Sequence, residues 1–432
     1  MALATSSADL SQDNVARMNL LTNNSATIFH HPIVVTFNVG SATIKMAAYD
    51  SDDDIDHIND AALATSTIRE CQPLFDININ LKTHQSIWHH QPAALNTWQP
   101  TGSLTDTAVS LFNALKTTFP DRQIVCVHRI VHGGLTYKHP IIIDDTVMAK
   151  LIELSPICPL HQPPALSVVN ALHQLDNTLI HIAAFDTAFH HARSPIWATY
   201  ALPRELREKG IQCYGFHGLS YQAILRKLRA YQPLLAEQRL IVAHLGSGCS
   251  ITAIHHGESV DSTLGFSGLD GVPMGTRVGH LDPAVVLYLV EQGWCLEDMN
   301  RCLYKESGLL GLSEISNDVE VLLASDDPRA KFALDYFAAH TAKHIASLMV
   351  SLKGCDALIF TAGIGEHAPV IREKIVAHLA FLGFFIDTQL NNTASSSSPI
   401  VKISSENSKP MFVILTDEQL ELYLSYQFVT KN

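Results

Sequence analysis

The sequence predicts an α/β protein with two domains. From Pro32 onward, short runs rich in β-branched residues alternate with longer amphipathic runs, which is the pattern typical of α/β architecture. The 432 residues are about three times the length of a typical ~150-residue domain, and 47% of them are hydrophobic, enough for a large core. A strand-turn-strand segment near the N-terminus also recurs in outline in the second half of the chain.

The individual elements follow from the same periodicity. Short apolar, β-branched runs predict strands at 33–37, 44–49, 124–127, 179–184, 240–244, 250–254, 357–361 and 412–415. Amphipathic runs predict helices at 105–118, 219–229, 283–292, 328–352 and 369–382. The segments 84–100 and 391–399 are rich in polar residues, proline or serine, and we expect surface insertions there. The long helix at 328–352 is expected to pack in the core rather than to form a dimer face.

The internal repeat joins the segments 34–44 and 241–251. Each copy has an apolar strand, a polar residue near its end (Asn38 or His244), a Gly-Ser turn, and then a Ser or Thr that opens a second strand. Such a hairpin lets the backbone approach a ligand and directs amides and hydroxyls at an anion. Two copies predict duplicated domains, each presenting its hairpin to a shared cleft.

Charge and composition restrict the partners. The chain has 42 acidic and 29 basic residues, a net charge of −13, and charged residues are only 16% of it. Nucleic acids are bound through clustered Lys and Arg, so we expect no nucleic-acid partner. The 23 histidines match no metal-ligand spacing such as HExxH, and most are expected to be neutral surface or core residues.

Targeting signals and cysteines indicate the compartment. No apolar run approaches the ~20 residues of a transmembrane helix, so we expect no membrane association. Residues 1–32 lack the basic and apolar regions of a secretory signal and predict a flexible N-terminal extension. The eight cysteines form no CxxC motif and predict reduced thiols in a cytoplasmic protein.

A glycine-rich element at 363–368 invites a nucleotide-binding interpretation. It follows the predicted strand 357–361 and precedes a helix, the context that a dinucleotide-binding fingerprint requires. Only about one further strand follows, where such a fold needs more. A mononucleotide or adenosine contact at a helix N-terminus therefore explains the element better. The chain has no Walker A motif.

Three further stretches place charged groups in or beside flexible loops. Arg129 and His132 stand in HRIVHGG after a strand, Asp186 follows the strand 179–184, and Arg277 lies between two glycines in PMGTRVGHLDP. The carboxyl ends of strands are where clefts form in α/β proteins. Arginine and aspartate at these points favour an anion-binding site with acid or base groups, although a surface ion pair, an N-cap and a turn residue would also explain them.

These stretches resemble the acetate kinases. The strings FNVGSATIK, HRIVHGG, PLHQPPAL, FDTAFH, YALPREL, YGFHGLSY, AHLGSGCS, DSTLGFSGLDGVPMGTRVGHLDPA, FTAGIGEH and TDEQ occur in the family's order and approximate spacing, from about residue 33 to 422. The resemblance implies two duplicated RNase H-like domains of the actin-like ATPase class with a cleft between them, and a homodimer. The implied domains are 33–189, completed by a C-terminal helix at 420–432, and 190–419 for the nucleotide-binding half.

The resemblance also implies the reaction. It is a reversible transfer of a phosphoryl group between ATP and acetate, giving acetyl phosphate and ADP, directly in line and dependent on Mg²⁺ or Mn²⁺. Such an enzyme serves acetyl-CoA biosynthesis in the cytoplasm. A carboxylate is already a nucleophile at neutral pH, so alignment and charge neutralisation suffice.

Site residues are carried over position by position. Arg129 and Arg277 resemble the pair that holds the substrate carboxylate and the transferring phosphoryl group, Asp186 the essential carboxylate, and His217 the transition-state histidine. The implied magnesium ligands are Asn38 and Glu418. The implied acyl pocket comprises Val131, Leu160 and Phe216, beside Arg129. The implied nucleotide and phosphate contacts are Ser41, Thr43, Lys45, His244, Leu245, Gly246, Ser247, Gly248, Asp318, Gly363, Ile364, Gly365 and His367.

Four positions depart from the family's pattern: Ser247, His280, Glu320 and His367. By the family's layout they fall mainly on the nucleotide side, so pyrophosphate remains an alternative to ATP as donor. Propionate remains an alternative acceptor, because one methylene in an apolar pocket is worth only about 1–3 kcal/mol. Alternatives from other classes are an NAD-dependent oxidoreductase and a non-catalytic nucleotide-binding switch.

Overall fold

The structure, a computed structural model, describes residues 31–40, 43–51, 71–81, 83, 85–394 and 398–431. The predicted extension therefore lies outside the described residues up to position 30, and so does Ser41. The chain divides into two compact units. The first contains the described residues up to Val131, then His139–Phe185 and the C-terminal segment from Glu418. The second contains His132–Lys138 and Asp186–Asp417. The predicted domain limits stay a prediction.

The first unit is built on a seven-stranded sheet. Its strands are β1 (Ile33–Val39), β2 (Thr43–Asp50), β3 (Phe75–Asn80), β4 (Gln85–His90), β5 (Ile124–Ile130), β6 (Ile141–Ile142) and β7 (Ile180–Phe185). They lie in the order β4-β3-β2-β1-β5-β7-β6. Strands β1, β5 and β7 are parallel, and the other pairs are antiparallel. Strand β1 is buried throughout, as its largely apolar sequence IVVTFNV predicts for a central strand.

The second unit is built on a six-stranded sheet. Its strands are β8 (Leu240–Leu245), β9 (Cys249–His255), β10 (Glu258–Ser262), β11 (Ala357–Thr361), β12 (Ile400–Lys402) and β13 (Met411–Ile414). They lie in the order β10-β9-β8-β11-β13-β12, with β8, β11 and β13 parallel. Both sheets therefore share a core of three antiparallel strands followed by two parallel ones. The two predicted repeat segments are the β1–β2 and β8–β9 hairpins at equivalent places, which confirms the duplication.

The helices cover these sheets. In chain order they are α1 (Leu104–Thr118), α2 (Asp145–Glu153), α3 (Gln162–Leu175), α4 (Pro195–Ala198), α5 (Arg204–Glu208), α6 (Gly218–Tyr231), α7 (Pro233–Ala236), α8 (Pro283–Glu291), α9 (Leu296–Arg301), α10 (Gly308–Ser313), α11 (Val319–Leu323), α12 (Pro328–Leu352), α13 (Ala362–His367), α14 (Pro369–Ala377), α15 (Thr388–Thr393) and α16 (Glu418–Lys431). In the described part of the chain, none is long and apolar enough to cross a membrane.

Helix α12 shows how local signals set an element. Asp327 caps its first turn by accepting from the backbone N–H of Arg329, Pro328 occupies the first helical position, and Lys353 ends the helix in the left-handed conformation. The face that carries Phe337 and Ile345 is fully buried. The expectation that this helix packs in the core is confirmed.

The segment 84–100, expected to be a surface insertion, is in part a regular strand. Its first part forms β4, an edge strand paired with β3, and the aromatic residues explain why. The Trp88 ring meets Phe75 and Trp98 edge-to-face, with centroids 6.3 and 6.0 Å away. Trp98 also donates its indole N–H to Ser110 on α1. Two tryptophans thus attach a polar segment to the core.

Candidate active site

The first unit gathers three of the predicted site residues. Asn38 lies near the C-terminal end of β1, Arg129 near that of the neighbouring parallel strand β5, and Glu418 begins α16. The Asn38 amide donates to Glu418 Oε2 over 2.5 Å. Arg129 Nη1 donates to Asn38 Oδ1 over 3.0 Å and lies 3.4 Å from Glu418 Oε2. The topology therefore brings an amide, a guanidinium and a carboxylate from three elements to one point.

This group suits a magnesium ion. Amide and carboxylate oxygens are the hard ligands that Mg²⁺ prefers, and it usually takes only one or two carboxylates beside water and substrate phosphate. Asn38 and Glu418 supply one of each, and both side chains are largely buried and already in contact. The donor set fits the ion that the resemblance implies.

The first hairpin adds a basic side chain. Lys45 on β2 pairs across the sheet with Asn38, so the two side chains lie on the same face, and Lys45 is exposed. The turn is closed by the Gly40 N–H donating to the Thr43 carbonyl over 2.8 Å. A Cβ at Gly40 would lie 3.0 Å from Thr43 Oγ1, so glycine keeps this turn tight.

In the second unit, His217 and Arg277 converge on Gly248. A Cβ built on Gly248, at the tip of the β8–β9 hairpin, would lie 3.1 Å from His217 Nε2 and 3.5 Å from Arg277 Nη2. The other terminal nitrogen of Arg277 donates to the Gly268 carbonyl over 2.7 Å, which fixes the guanidinium. An imidazole, a guanidinium and a side-chain-free backbone thus share one small space.

Hydroxyl groups orient the His217 and His244 rings. The two rings stack with centroids 4.1 Å apart. His217 Nδ1 lies 2.8 Å from Ser250 Oγ, and His244 Nδ1 lies 2.8 Å from Ser220 Oγ. Ser250 Oγ in turn lies 2.5 Å from the hydroxyl of Tyr221. Each imidazole has one ring nitrogen committed to a serine, which fixes the ring orientation.

Asp186 contacts the residue that follows His217 in the chain. Its side chain is fully buried, and its carbonyl accepts from the Gly218 N–H over 3.1 Å. A Cβ at Gly218 would lie 2.2 Å from that carbonyl oxygen, so only glycine permits the approach. His217 itself has a positive φ of 58°, a strained backbone of the kind that clusters at functional sites.

The loop that carries Phe216 is fixed by a buried histidine. His190 donates from Nε2 to the Phe216 carbonyl over 2.9 Å, and its Nδ1 lies 2.8 Å from Ser259 Oγ. Burial lowers the pKa of His190 to about 3, with the nearby Arg193 charge acting in the same direction. The ring is therefore neutral at physiological pH and serves as a fixed support.

The predicted acyl-pocket residues are placed as follows. Phe216 is buried in the second unit, edge-on to His132 with centroids 5.7 Å apart, and Tyr214 lies 4.3 Å from the same ring. Burial lowers the pKa of His132 to about 4. Val131 is buried after β5, and Leu160 is half-buried before α3, both in the first unit.

The predicted nucleotide element forms the short helix α13. Gly363 and His367 are exposed on it, whereas Gly365 is buried. A Cβ on Gly246 would lie 3.5 Å from Ala362 Cβ and 3.9 Å from Gly363 N, so the hairpin tip borders this helix. Asp318, also predicted for this site, is exposed and caps α11 by accepting from the Glu320 N–H over 2.8 Å.

Two buried residues that the sequence reasoning missed support α13. Glu366 Oε1 accepts from the Ala362 N–H over 2.8 Å, the Thr416 N–H over 2.9 Å and the Thr361 hydroxyl over 3.2 Å. Arg372 donates from Nη1 to the Gly365 and Glu366 carbonyls over 2.8 and 2.9 Å. Glu366 stands inside the string FTAGIGEH, which was the available signal, whereas nothing in the sequence marks Arg372.

Comparison with known proteins settles the family. The acetokinase family model matches residues 33–423, nearly the whole described chain. The chain belongs to the acetokinase family. The acetate kinase of Rhodopseudomonas palustris strain TIE-1 is 40% identical over 397 residues, covering 90% of this chain and 96% of that protein. The acetate kinase of Rickettsia akari is 44% identical over 295 residues, covering 68% and 75%.

Solved acetokinase-family structures share the fold. A propionate kinase from Francisella tularensis superposes with a TM-score of 0.74 at 32% identity, covering 91% of this chain and 98% of that one. An acetate kinase from Entamoeba histolytica gives a TM-score of 0.75 at 28% identity, covering 93% and 100%. The duplicated two-domain α/β fold implied by the sequence is therefore confirmed.

Proposed function

We propose that this protein is an acetate kinase that transfers a phosphoryl group reversibly between ATP and acetate. The observation that supports this best is the convergence of His217 Nε2 and Arg277 Nη2 on Gly248. Phosphoryl transfer requires fixed cationic and hydrogen-bonding groups around the equatorial oxygens and no covalent residue. The space beside Gly248 supplies such groups next to backbone amides, with the Asp186 segment alongside.

The chemistry needs little more than positioning. In the forward direction a carboxylate oxygen of acetate forms a bond to the γ-phosphorus, and the bond from that phosphorus to the β,γ-bridging oxygen breaks. No proton moves, because the carboxylate is already ionised at neutral pH. We propose that Arg129 binds the carboxylate through its forked N–H groups, while Arg277 and His217 stabilise the equatorial oxygens.

A magnesium or manganese ion is proposed at Asn38 and Glu418. When bound, it would neutralise phosphate charge on the nucleotide. Arg129 contacts both residues and so holds them in the orientation found here. Lys45, on the same face as Asn38, provides a further positive charge for phosphate oxygens.

The nucleotide is proposed to bind along α13 and the β8–β9 hairpin. The exposed backbone at Gly363 and the open space around it leave room for an adenosine group, since a Cβ there would meet nothing within 4 Å. The buried side chains of Glu366 and Arg372 hold this segment in place by hydrogen bonds to its backbone. The roles of Leu245, Gly246, Ser247, Gly248, Asp318, Ile364, Gly365 and His367 as nucleotide contacts belong to this proposal.

The decisive experiment is trapping of acyl phosphate by hydroxylamine, with Mg²⁺ and either ATP or pyrophosphate. We expect acetyl hydroxamate with ATP, with propionate as a slower substrate and butyrate slower still. Formation of hydroxamate with pyrophosphate but not with ATP would show that pyrophosphate is the donor. Tight ATP binding without any hydroxamate would instead support a nucleotide-binding switch, and reduction of NAD would support the oxidoreductase.

Selectivity for the acyl chain is proposed to depend on Val131, Leu160 and Phe216. A propionate kinase stands among the structural relatives, so the longer acid is the alternative acceptor. Comparison of kcat/KM for the two acids measures the preference directly. Phe216→Ala is expected to shift the preference towards propionate. An unchanged preference in this variant would contradict the proposed role of Phe216 in acyl selectivity.

We further propose that the enzyme is a cytoplasmic homodimer and that helix α8 takes part in the interface. Every residue of α8 is at least partly exposed, although its sequence is almost entirely apolar. Leu287, Tyr288 and Val290 are 66%, 59% and 54% exposed. A helix that is apolar on all sides is normally covered.

The cysteines support the cytoplasmic placement. All eight lie in the described part of the chain and are free thiols there, as is usual in a reducing compartment.

A further inference from the structure

A cluster of metal-binding side chains lies in the core of the first unit, apart from Asn38 and Glu418. Cys126 and His128 alternate on β5, so both side chains project from the same face of the sheet. His181 on β7 pairs across the parallel ladder with Cys126 and therefore shares that face. One ligand atom from each of the three residues lies within 4.8 Å of the other two.

The two imidazoles are arranged as a pair of ligands would be. His128 Nε2 and His181 Nδ1 lie 3.0 Å apart and share one hydrogen bond, a separation that also suits two ligands of one cation. Two nitrogens on one tetrahedral zinc ion lie about 3.3 Å apart, given Zn–N distances of about 2.0–2.1 Å. Within the described structure, the remaining ring nitrogens, His128 Nδ1 and His181 Nε2, are buried without a hydrogen-bond partner. When a cation binds His128 Nε2 and His181 Nδ1, these two remaining nitrogens carry the ring protons and are not ligands.

We propose that Cys126, His128 and His181 form a binding site for one divalent cation of the zinc class. Sulfur and imidazole nitrogen are the donors that Zn²⁺ prefers, and Mg²⁺ disfavours them. The site is therefore chemically distinct from the oxygen ligands at Asn38 and Glu418. Its occupant would be structural, joining β5 to β7, because all three side chains are buried.

Protonation is consistent with this assignment. Burial lowers the pKa of His181 to about 4 and that of His128 well below its usual value, so both rings are neutral and ready to bind a cation. Burial raises the pKa of the Cys126 thiol. Binding must then release the thiol proton to solvent while the sulfur lone pair forms the metal bond. Affinity should accordingly increase with pH.

Other charged groups lie near the cluster. The His173 ring on α3 lies 6.1 Å from that of His181, edge-on, close enough to contribute a fourth ligand after a rotamer change. The Asp176 charge acts on both Cys126 and His181 and would favour a cation there, while Lys116 forms an ion pair with that carboxylate. These groups would tune the affinity.

Cobalt(II) is the probe that tests the site, because a thiolate bound to it gives a charge-transfer band in the near ultraviolet. We expect the full-length protein, refolded with Co²⁺ under reducing conditions, to bind one equivalent with this band. Excess Zn²⁺ should abolish the band, and excess Mg²⁺ should not. Cys126→Ser and His181→Phe should each lose it, whereas Cys355→Ser, which removes another buried thiol, should keep it.

A second measurement guards against misfolded variants. Zn²⁺ should raise the thermal midpoint of the wild-type and Cys355→Ser proteins, and leave that of folded Cys126→Ser unchanged. Acyl phosphate formation serves as the test of folding for every variant, independently of the metal readout. The absence of a sulfur charge-transfer band in the active wild-type protein would overturn the site, as would a band of full intensity in Cys126→Ser.

Discussion

Replacing Gly248 by alanine should impair catalysis more than substrate binding. Its φ is not positive, so alanine fits the backbone. The new Cβ would press on His217 Nε2 and Arg277 Nη2, at 3.1 and 3.5 Å. Displacements of about 1 Å can cost roughly 100-fold in rate, so we expect kcat of Gly248→Ala to fall by about that factor. Steady-state kinetics would measure it.

Gly246→Ala is the matched comparison for that variant. Its Cβ would meet the Gly248 carbonyl and Ala362 Cβ in ordinary contact, at 3.4 and 3.5 Å, and would touch neither His217 nor Arg277. A much smaller loss of kcat is therefore expected. Equal losses in the two variants, with unchanged thermal midpoints, would argue that the hairpin backbone matters rather than the groups above Gly248.

Arg277 tests the proposed stabilisation of the transferring phosphoryl group. Lysine retains the charge but lacks the planar fork that donates to Gly268 and reaches towards Gly248. We expect Arg277→Lys to lose about 100-fold or more in kcat with a smaller change in KM for ATP. Arg204→Lys, at an exposed surface ion pair, is the control and should behave as wild type. Full activity of Arg277→Lys would remove the residue from the mechanism.

At the scale of elements, the junction between β11 and α13 is held together by the Glu366 carboxylate. Glu366→Gln retains the acceptor oxygen for the Ala362 and Thr416 N–H groups, whereas Glu366→Ala leaves the buried Ala362 donor and the partly buried Thr416 donor unpaired. An unpaired buried donor costs about 1–3 kcal/mol. We expect Ala to lower the unfolding free energy by about 3 kcal/mol and Gln by much less, in urea titrations.

The same pair of variants should also separate stability from nucleotide binding. Glu366 accepts a hydrogen bond from the N–H of Ala362, whose φ is 64°, at the start of the proposed nucleotide helix. Glu366→Ala should therefore raise KM for ATP more than KM for acetate. An equal rise in both KM values, or a Gln variant as unstable as the Ala variant, would contradict the positioning role.

Elements differ in how far the sequence predicted them. Strand β11 and helix α12 have the bounds expected, because β-branched runs and Asp-Pro caps are local signals. Strands β3 and β10 went unpredicted, since the segments FDININ and ESVDS are polar and gain their pairing from neighbouring strands. The expected helix at 369–382 stops at Ala377 and continues as a single 3₁₀ turn before Gly383, which has a positive φ.

For the whole molecule, buried neutral histidines predict acid sensitivity. The folded pKa of His190 is about 3, below an unfolded value near 6.5, so the unfolded chain binds a proton first as pH falls. Stability is thus retained above pH 6.5 and decreases between there and about pH 3. In His190→Gln, the loss of unfolding free energy between pH 6.5 and pH 4 should be smaller than in wild type by about 3 kcal/mol. Urea titrations at several pH values measure it.

The neighbouring His191 provides the control for this pH dependence. It is exposed, so His191→Gln makes the same substitution at the next position without removing a buried ring, and its slope of stability against pH is the one to compare with that of His190→Gln. The slope also contains carboxylates whose pKa is lowered by ion pairs, such as Asp335 between Lys331 and Lys374, and these remain in both variants. Identical slopes for wild type and His190→Gln would contradict the burial argument.

Oligomeric state is the other whole-molecule prediction. Leu287→Lys and Tyr288→Glu on α8 should convert a dimer into monomers in light scattering. Leu234→Lys alters a leucine that is 85% exposed on α7 and should leave the dimer intact. A wild-type protein that is monomeric at micromolar concentration would refute the proposed interface.

The α/β class, the duplicated hairpins and the family could all be predicted from the sequence, because they depend on local periodicity and on motifs that are contiguous in the chain. Three features became visible only in the folded structure. They are the grouping of Asn38, Arg129 and Glu418, the convergence of His217 and Arg277 on Gly248, and the buried supports Glu366 and Arg372. Their partners lie far apart along the chain, or are backbone atoms without sequence identity. Strand pairing and loop closure bring them together, and no local pattern encodes that distance.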